Sequence, residues 1–196
     1  MTEPGRQTTE VVLDAKGLRA LAHPLRVELV NLLRRHGPST ATRLADLLGV
    51  NSGTASYHLR RLAAAGFVEE DTERGNARDR WWRPVHQITR LTDPDLSERE
   101  PEATMAYLQS VAASYNLRLQ QALNGLDTMP RDWRRVFDLS SRALRLTQEE
   151  AETLHGELME LLDRYRRDTP ELAASAPEGA ERLSLITLFL PDLEES

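Results

Sequence analysis

Thr40–Val68, TATRLADLLGVNSGTASYHLRRLAAAGFV, is the stretch that decides how this chain folds. Leu44, Leu47 and Leu48 recur at helical spacing after Ser39 and Thr40, either of which can cap a helix, and Gly49 stands where helices usually stop. A second periodic run begins at Ser52, with Ala55, Leu59 and Leu62 on one stripe and Gly66 closing it. Two helices joined by a turn of a few residues containing glycine make a helix-turn-helix. Phe67-Val68-Glu69-Glu70 then reads as a strand, Asp71 to Asp79 as a polar turn, and Arg80-Trp81-Trp82-Arg83 as the returning strand before Pro84. The stretch predicts a helix-turn-helix with a β-hairpin wing attached directly to it.

Upstream, Asp14 can cap a helix carrying Leu18, Leu21 and Ala22. His23-Pro24 restarts the chain, because proline tolerates the first helical turn, where its missing N–H has no partner to lose. Leu25, Val27, Leu29, Val30, Leu32 and Leu33 make the next helix apolar over a wide face, as at the centre of a core, and Gly37-Pro38 stops it. Downstream, Thr92 to Pro101 is a charged, proline-containing connector, within which Ser97-Glu98-Arg99-Glu100 could open the next helix early as a capping box. That helix carries Leu108, Val111, Tyr115, Leu119, Ala122 and Leu126. Pro130 to Phe137 reads as a short helix. Thr147-Gln148-Glu149-Glu150 is a capping box for a helix bearing Ala151, Leu154, Leu158, Leu161 and Tyr165. Alternation at Ser141–Leu146 and the β character of Arg182–Leu190 predict two short strands. The expected fold is mainly α with a small β component: a winged helix-turn-helix over 12–91 and a helical region over 98–196.

Composition sharpens this division. The 196 residues suffice for a packed core, and 40% hydrophobic residues with clear periodicity exclude wholesale disorder. The net charge of −6 seems to argue against a polyanionic partner, yet it is unevenly distributed. Residues 1–90 carry 14 Lys+Arg against 10 Asp+Glu, net +4, and residues 91–196 carry 11 against 21, net −10. A basic working module and an acidic, differently employed remainder follow. No run is long and apolar enough to span a bilayer, and the first ten residues lack the order of a signal peptide, so a cytoplasmic protein with no membrane partner is expected.

The basic half resembles the winged helix-turn-helix of ArsR-like bacterial transcription regulators. The residues that carry the resemblance are Leu21-Ala22-His23-Pro24-Leu25-Arg26, Leu44-Ala45-Asp46-Leu47-Leu48-Gly49-Val50, Ser52-Gly53-Thr54-Ala55-Ser56-Tyr57-His58-Leu59-Arg60-Arg61-Leu62 and Ala65-Gly66-Phe67-Val68. It spans about residues 12–90, and its specificity lies in the joint occurrence of apolar spacing, helix stops, the Ser-x-His-Leu run and the wing. The resemblance implies a homodimer that binds a double-stranded DNA operator and represses.

The residues support DNA contact on their own terms. At about 100° per residue, a buried face of Ala55, Leu59 and Leu62 turns Gly53, Thr54, Tyr57, Arg60 and Arg61 outward. Arg bonds bidentately to guanine, and Thr or Tyr reaches a base edge or a thymine methyl. Ser52 and Ser56 lie nearer the flank, suited to phosphate. Gly53 is an odd choice in a helix, and close approach to DNA would explain it. His58, at the edge of the apolar stripe, reads as a half-buried structural histidine. In the wing, Arg74, Arg78 and Arg80 could straddle phosphates or enter the minor groove, although Asp71, Glu73 and Asp79 dilute their charge.

ArsR-like metal sensors use cysteines or Asp/His pairs, and this chain departs from them. Cysteine is absent, and Glu102–Leu126 contains no histidine. His155-Gly156-Glu157 only mimics a zinc motif, because Met159 stands where the second histidine would be needed. No metal and no cofactor are expected. There is no phosphate loop or nucleophile elbow, so the chain is not read as an enzyme. The stripes at Leu108, Val111, Tyr115, Leu119 and Leu126, and at Leu158, are expected to build a homodimer core. A small-molecule or protein effector fits the acidic half, but no residue set identifies one. Two other classes stay open: a winged domain that binds proteins without specific DNA, and a small-molecule-processing enzyme in the C-terminal half.

Overall fold

Side-chain caps fix the start of most helices in the computed structural model, which describes residues 10–74, 80–166, 168, 172–173 and 175–192. The first described elements are strand β1 (Glu10–Val12) and helix α1 (Ala15–Leu21), capped by the Asp14 carboxylate, which accepts from Gly17 N at 2.7 Å. Helix α2 (Pro24–His36) has His23 as its N-cap, the imidazole Nδ1 accepting from Leu25 N at 3.1 Å. A two-residue strand β2 (Ser39–Thr40) leads into α3 (Ala41–Leu48), and of the two expected caps it is Thr40 that accepts, from Arg43 N at 3.3 Å. Gly49 closes α3 at φ 64°, a left-handed geometry that side chains with a Cβ resist.

After α4 (Ser52–Ala64), the chain turns at Gly66 (φ 83°) into β3 (Val68–Glu70), β4 (Trp81–Pro84) and β5 (Ile88–Arg90). The wing is richer than a hairpin. β4 pairs antiparallel with β3 on one side and with β2 on the other, with Thr40 opposite Trp81 and Glu70 opposite Trp82. β1 runs parallel to β5, with Val11 opposite Thr89, and ties the N-terminal segment to the end of the wing. Neither β2 nor β1 carries a sequence signal, because strands this short owe their form to the partner edge.

The core gathers Leu18, Leu29, Leu33, Leu44, Leu59, Leu62, Phe67 and Val68. Burying one such side chain is worth roughly 1.5–3 kcal/mol. Trp82 joins it, whereas Trp81 lies half-buried under the Arg43 guanidinium, 5.1 Å from the ring centroid. Leu47, expected on the buried stripe of α3, is 65% exposed, and Ala45 takes the inward position. The small Ala45 lets α3 settle close to α4, its principal neighbour.

The connector also differs from expectation. Asp93, not Ser97, caps the helix there: α5 (Pro94–Arg99) has Ser97 in its interior, and α6 (Pro101–Asn124) starts after a break at Glu100. α6 lies on α1 and α2, and Leu96 and Tyr107 enter the same core as the helix-turn-helix. Its buried line is Thr104, Tyr107, Ser110 and Ser114, mostly small residues that let helices approach closely, and Asn31 Nδ2 donates to Ser114 Oγ at 3.2 Å. The apolar stripe expected to build a homodimer core lies outside that line: Leu108 is 47% exposed, and Val111, Tyr115 and Leu119 are half-buried.

Beyond a 3₁₀ turn (Leu126–Thr128) come α7 (Arg131–Arg134) and α8 (Gln148–Asp163). The expected capping box opens α8, Thr147 N donating to Glu150 Oε2 at 2.7 Å and Glu150 N to Thr147 Oγ1 at 3.2 Å. The strands expected at 141–146 and 182–190 do not form; both segments are irregular and exposed. A strand needs a partner edge for its N–H and C=O groups, and among the described residues neither segment meets one.

Candidate nucleic-acid interface

Helix α4 is built from its first turn. Asn51 is its N-cap, with Oδ1 accepting from Thr54 N at 2.7 Å, and the helix begins at Ser52, where the periodic run does. Gly53 has a reason inside the chain: a Cβ there would lie 3.2 Å from Asn51 Oδ1, crowding the cap. Ala55, Leu59 and Leu62 are fully buried, as the stripe requires.

The opposite face is open. Ser52, Gly53, Arg60 and Arg61 are exposed, Tyr57 is 51% exposed, and Thr54 and Ser56 are half-buried at the edges. Arg60 Nε donates to Ser56 O at 3.3 Å, and the Arg61 guanidinium lies 6.0 Å from the Tyr57 ring centroid. No carboxylate among the described residues pairs with Arg60 or Arg61. These two arginines therefore keep their full positive field for an outside anion.

Behind this face two imidazoles meet. His58 is buried rather than half-buried, its ring 4.5 Å from that of His23 and 5.2 Å from that of Tyr57, and its Nδ1 has no hydrogen-bond partner among the described residues. Burial holds the His58 pKa below the ordinary value, and the neighbouring His23 and Arg26 add to it. His23 is lowered by burial and then by Arg26. Arg26 is itself anchored, its Nε donating to Ala20 O and its Nη2 to Arg19 O at 3.0 Å. Arg26 and the two packed imidazoles thus lie where α4 meets the start of α2.

The wing presents less charge than its composition suggests. Arg74 Nε lies 3.5 Å from Asp71 Oδ2, and Arg80 Nε 3.2 Å from Glu70 Oε2. Arg78, also expected to contact DNA, lies outside the described residues. Of the expected dimer residues, Leu126 is half-buried in the 3₁₀ turn and Leu158 half-buried on α8. Among the described residues no group of three or more His, Asp or Glu is placed to hold a metal ion, and no helix is long and apolar enough to cross a membrane.

Residues 21–71 match the family model of a helix-turn-helix domain. Among solved structures, the chain is similar to the homodimeric winged helix-turn-helix DNA-binding domain of a possible ArsR-family transcriptional regulator from Mycobacterium bovis, at 26% identity over 53% of this chain and 80% of that one, with a TM-score of 0.33. It is also similar to the transcriptional regulator Tm0710 from Thermotoga maritima, at 14% identity over 73% of this chain and 78% of that one, with a TM-score of 0.31. For the apo form of a doubly substituted ZitR mutant from Lactococcus lactis the figures are 16%, 78%, 86% and 0.29. No curated protein matches the chain. Superpositions this loose carry no weight for the fold, which rests on the family match and on the two capped helices with the β3–β4 hairpin behind them. Residues 21–71 of this chain are a helix-turn-helix domain, and the β3–β4 hairpin attached to it makes the fold a winged helix-turn-helix.

Proposed function

We propose that this chain is a sequence-specific DNA-binding transcriptional regulator that acts in the cytoplasm as a homodimer and represses from a two-fold operator. α4 enters the major groove, where Tyr57, Arg60, Arg61 and Thr54 read base edges and Ser52 and Ser56 meet phosphate. The wing residues Arg74, Arg78 and Arg80 take flanking backbone or minor groove. The observation that carries this reading is the outward face of α4: a phenol and two guanidiniums, exposed and without carboxylate partners among the described residues.

Residues 12–91 serve as the reading domain and 98–196 as the dimer region, with α6 packed on the first and extending the second. The dimer is supported by what the single chain leaves uncovered. No residue of α8 is buried, and Leu139, Leu144, Leu183, Leu185 and Leu188 are all exposed. Apolar surface on this scale marks an interaction site, and a two-fold protein calls for a two-fold operator. No metal, cofactor or catalytic step enters the reading.

Selection of bound genomic fragments by the full chain tests it. A recovered inverted repeat, with discrimination lost in Arg61→Ala and Tyr57→Ala, is the expected outcome. Fragments without a common motif would move the winged domain to a protein-binding role.

A further inference from the structure

Between α1 and the last turn of α4 lies an open cleft of about 210 Å³, lined by Lys16, Arg19, Ala20, Arg26, Arg61, Ala64 and Ala65. Every polar side chain in that lining is a cation. Arg19 is paired with Glu100, but Lys16, Arg26 and Arg61 have no carboxylate partner among the described residues. Arg26 is fixed by the Ala20 and Arg19 carbonyls, and the three alanines leave the space that longer side chains would fill. The volume is several times the roughly 30 Å³ share of a liquid water. We propose that this cleft is a phosphate-binding site that takes one backbone phosphate of the bound DNA, just past the end of the recognition helix.

The inference rests on the DNA-binding reading above and deepens it. Arg61 belongs both to the outward face of α4 and to the cleft, so the site continues the groove-facing surface. Lys16, the only lysine in the chain, stands exposed on α1 opposite it. A point charge on a flexible stem suits phosphate, which demands charge rather than a fixed fork. The contrast with the wing favours the same placement: Arg74 and Arg80 share their charge with Asp71 and Glu70, whereas Lys16, Arg26 and Arg61 have no carboxylate partner among the described residues. Arg61 also depresses the pKa of Arg26, after burial, and an anion between them would relieve that repulsion.

The test is DNA affinity of the full chain as a function of salt, with inorganic phosphate as a second probe. Because Lys16 is exposed, Lys16→Gln should fold normally. Its salt slope should fall by about 0.9 per bound chain, with equal loss on operator and unrelated DNA. Arg142→Gln, the same charge change on the exposed C-terminal segment, should keep the slope. An unchanged slope in Lys16→Gln overturns the backbone assignment. If the slope is unchanged but millimolar phosphate raises the Tm of wild type and not of Lys16→Gln, the occupant is instead a free phosphate-bearing molecule. If wild type binds no DNA, the functional reading fails separately; the phosphate arm then decides the cleft, and no stabilisation overturns it.

Discussion

Gly53 offers two explanations that a double-mutant cycle separates. In α4, Gly53→Ala should gain up to about 1 kcal/mol of helix propensity. The new Cβ would sit 3.2 Å from Asn51 Oδ1, so the carboxamide must give by a few tenths of an ångström and loosen its 2.7 Å bond to Thr54 N. Losing such a cap outright costs about 1 kcal/mol, so the two effects nearly offset and Gly53→Ala should lie within about 0.5 kcal/mol of wild type. Asn51→Ala alone should destabilise by about 1 kcal/mol, a Tm fall of about 4–8 °C if the unfolding unit has 60–100 residues. In that background the crowding is gone, and Gly53→Ala should recover its gain, giving a coupling of about 0.5–1 kcal/mol. Thermal unfolding of the four proteins by circular dichroism measures the cycle. Equal effects of Gly53→Ala in both backgrounds would refute the cap explanation. Operator binding by Gly53→Ala then judges the other: affinity lost at unchanged stability means that the helix backbone approaches DNA, and affinity kept means that it does not.

Acid should weaken the fold through the two imidazoles. His23 and His58 both have lowered pKa values in the folded chain, so stability is complete above the unfolded value near 6.5 and falls as pH drops through it, because the unfolded state binds protons that the folded state resists. Tm should decline from pH 7 towards pH 5, and the double variant His23→Asn with His58→Asn, which keeps a side-chain acceptor at the α2 cap, should flatten that decline. A slope no different from wild type would remove the pair as its source. His36, lowered by burial and by Arg182 and Arg35, sets the remainder. Ser114→Leu should destabilise the winged domain by about 1–3 kcal/mol by forcing α6 off α2; a denaturation midpoint unchanged from wild type would show that α6 is no part of this core. Leu119→Glu should shift sedimentation of the full chain from dimer to monomer, and a wild type that stays monomeric at micromolar concentration would remove the dimer.

Much of the winged half is legible along the chain because its determinants are local. Asp14, Pro24, Thr40 and Gly49 act within one turn of where they stand, and the stripe Ala55, Leu59 and Leu62 needs only helical periodicity to be recognised. The outward face of α4 follows from that same stripe by subtraction. Reading along the chain fails where a residue answers to something distant. Trp81 goes under Arg43, Leu47 turns outward while Ala45 turns in, and β2 exists only because β4 passes beside it.

The same distinction separates composition from placement. An acidic total that hides a basic half is a fact of the linear chain, and it already pointed to a polyanion for residues 1–90. Which of those cations remain available is a tertiary matter. Arg74 and Arg80 are held by acids on or beside their own hairpin, whereas Lys16, Arg26 and Arg61, on three different helices, converge without one among the described residues. α6 shows it most clearly: its leucines read as a dimer stripe, and only the structure shows that Thr104, Tyr107, Ser110 and Ser114 face the chain's own core. Hydrophobicity sets which residues can be buried, but the distance between helix axes sets which fit, and at close approach small side chains win.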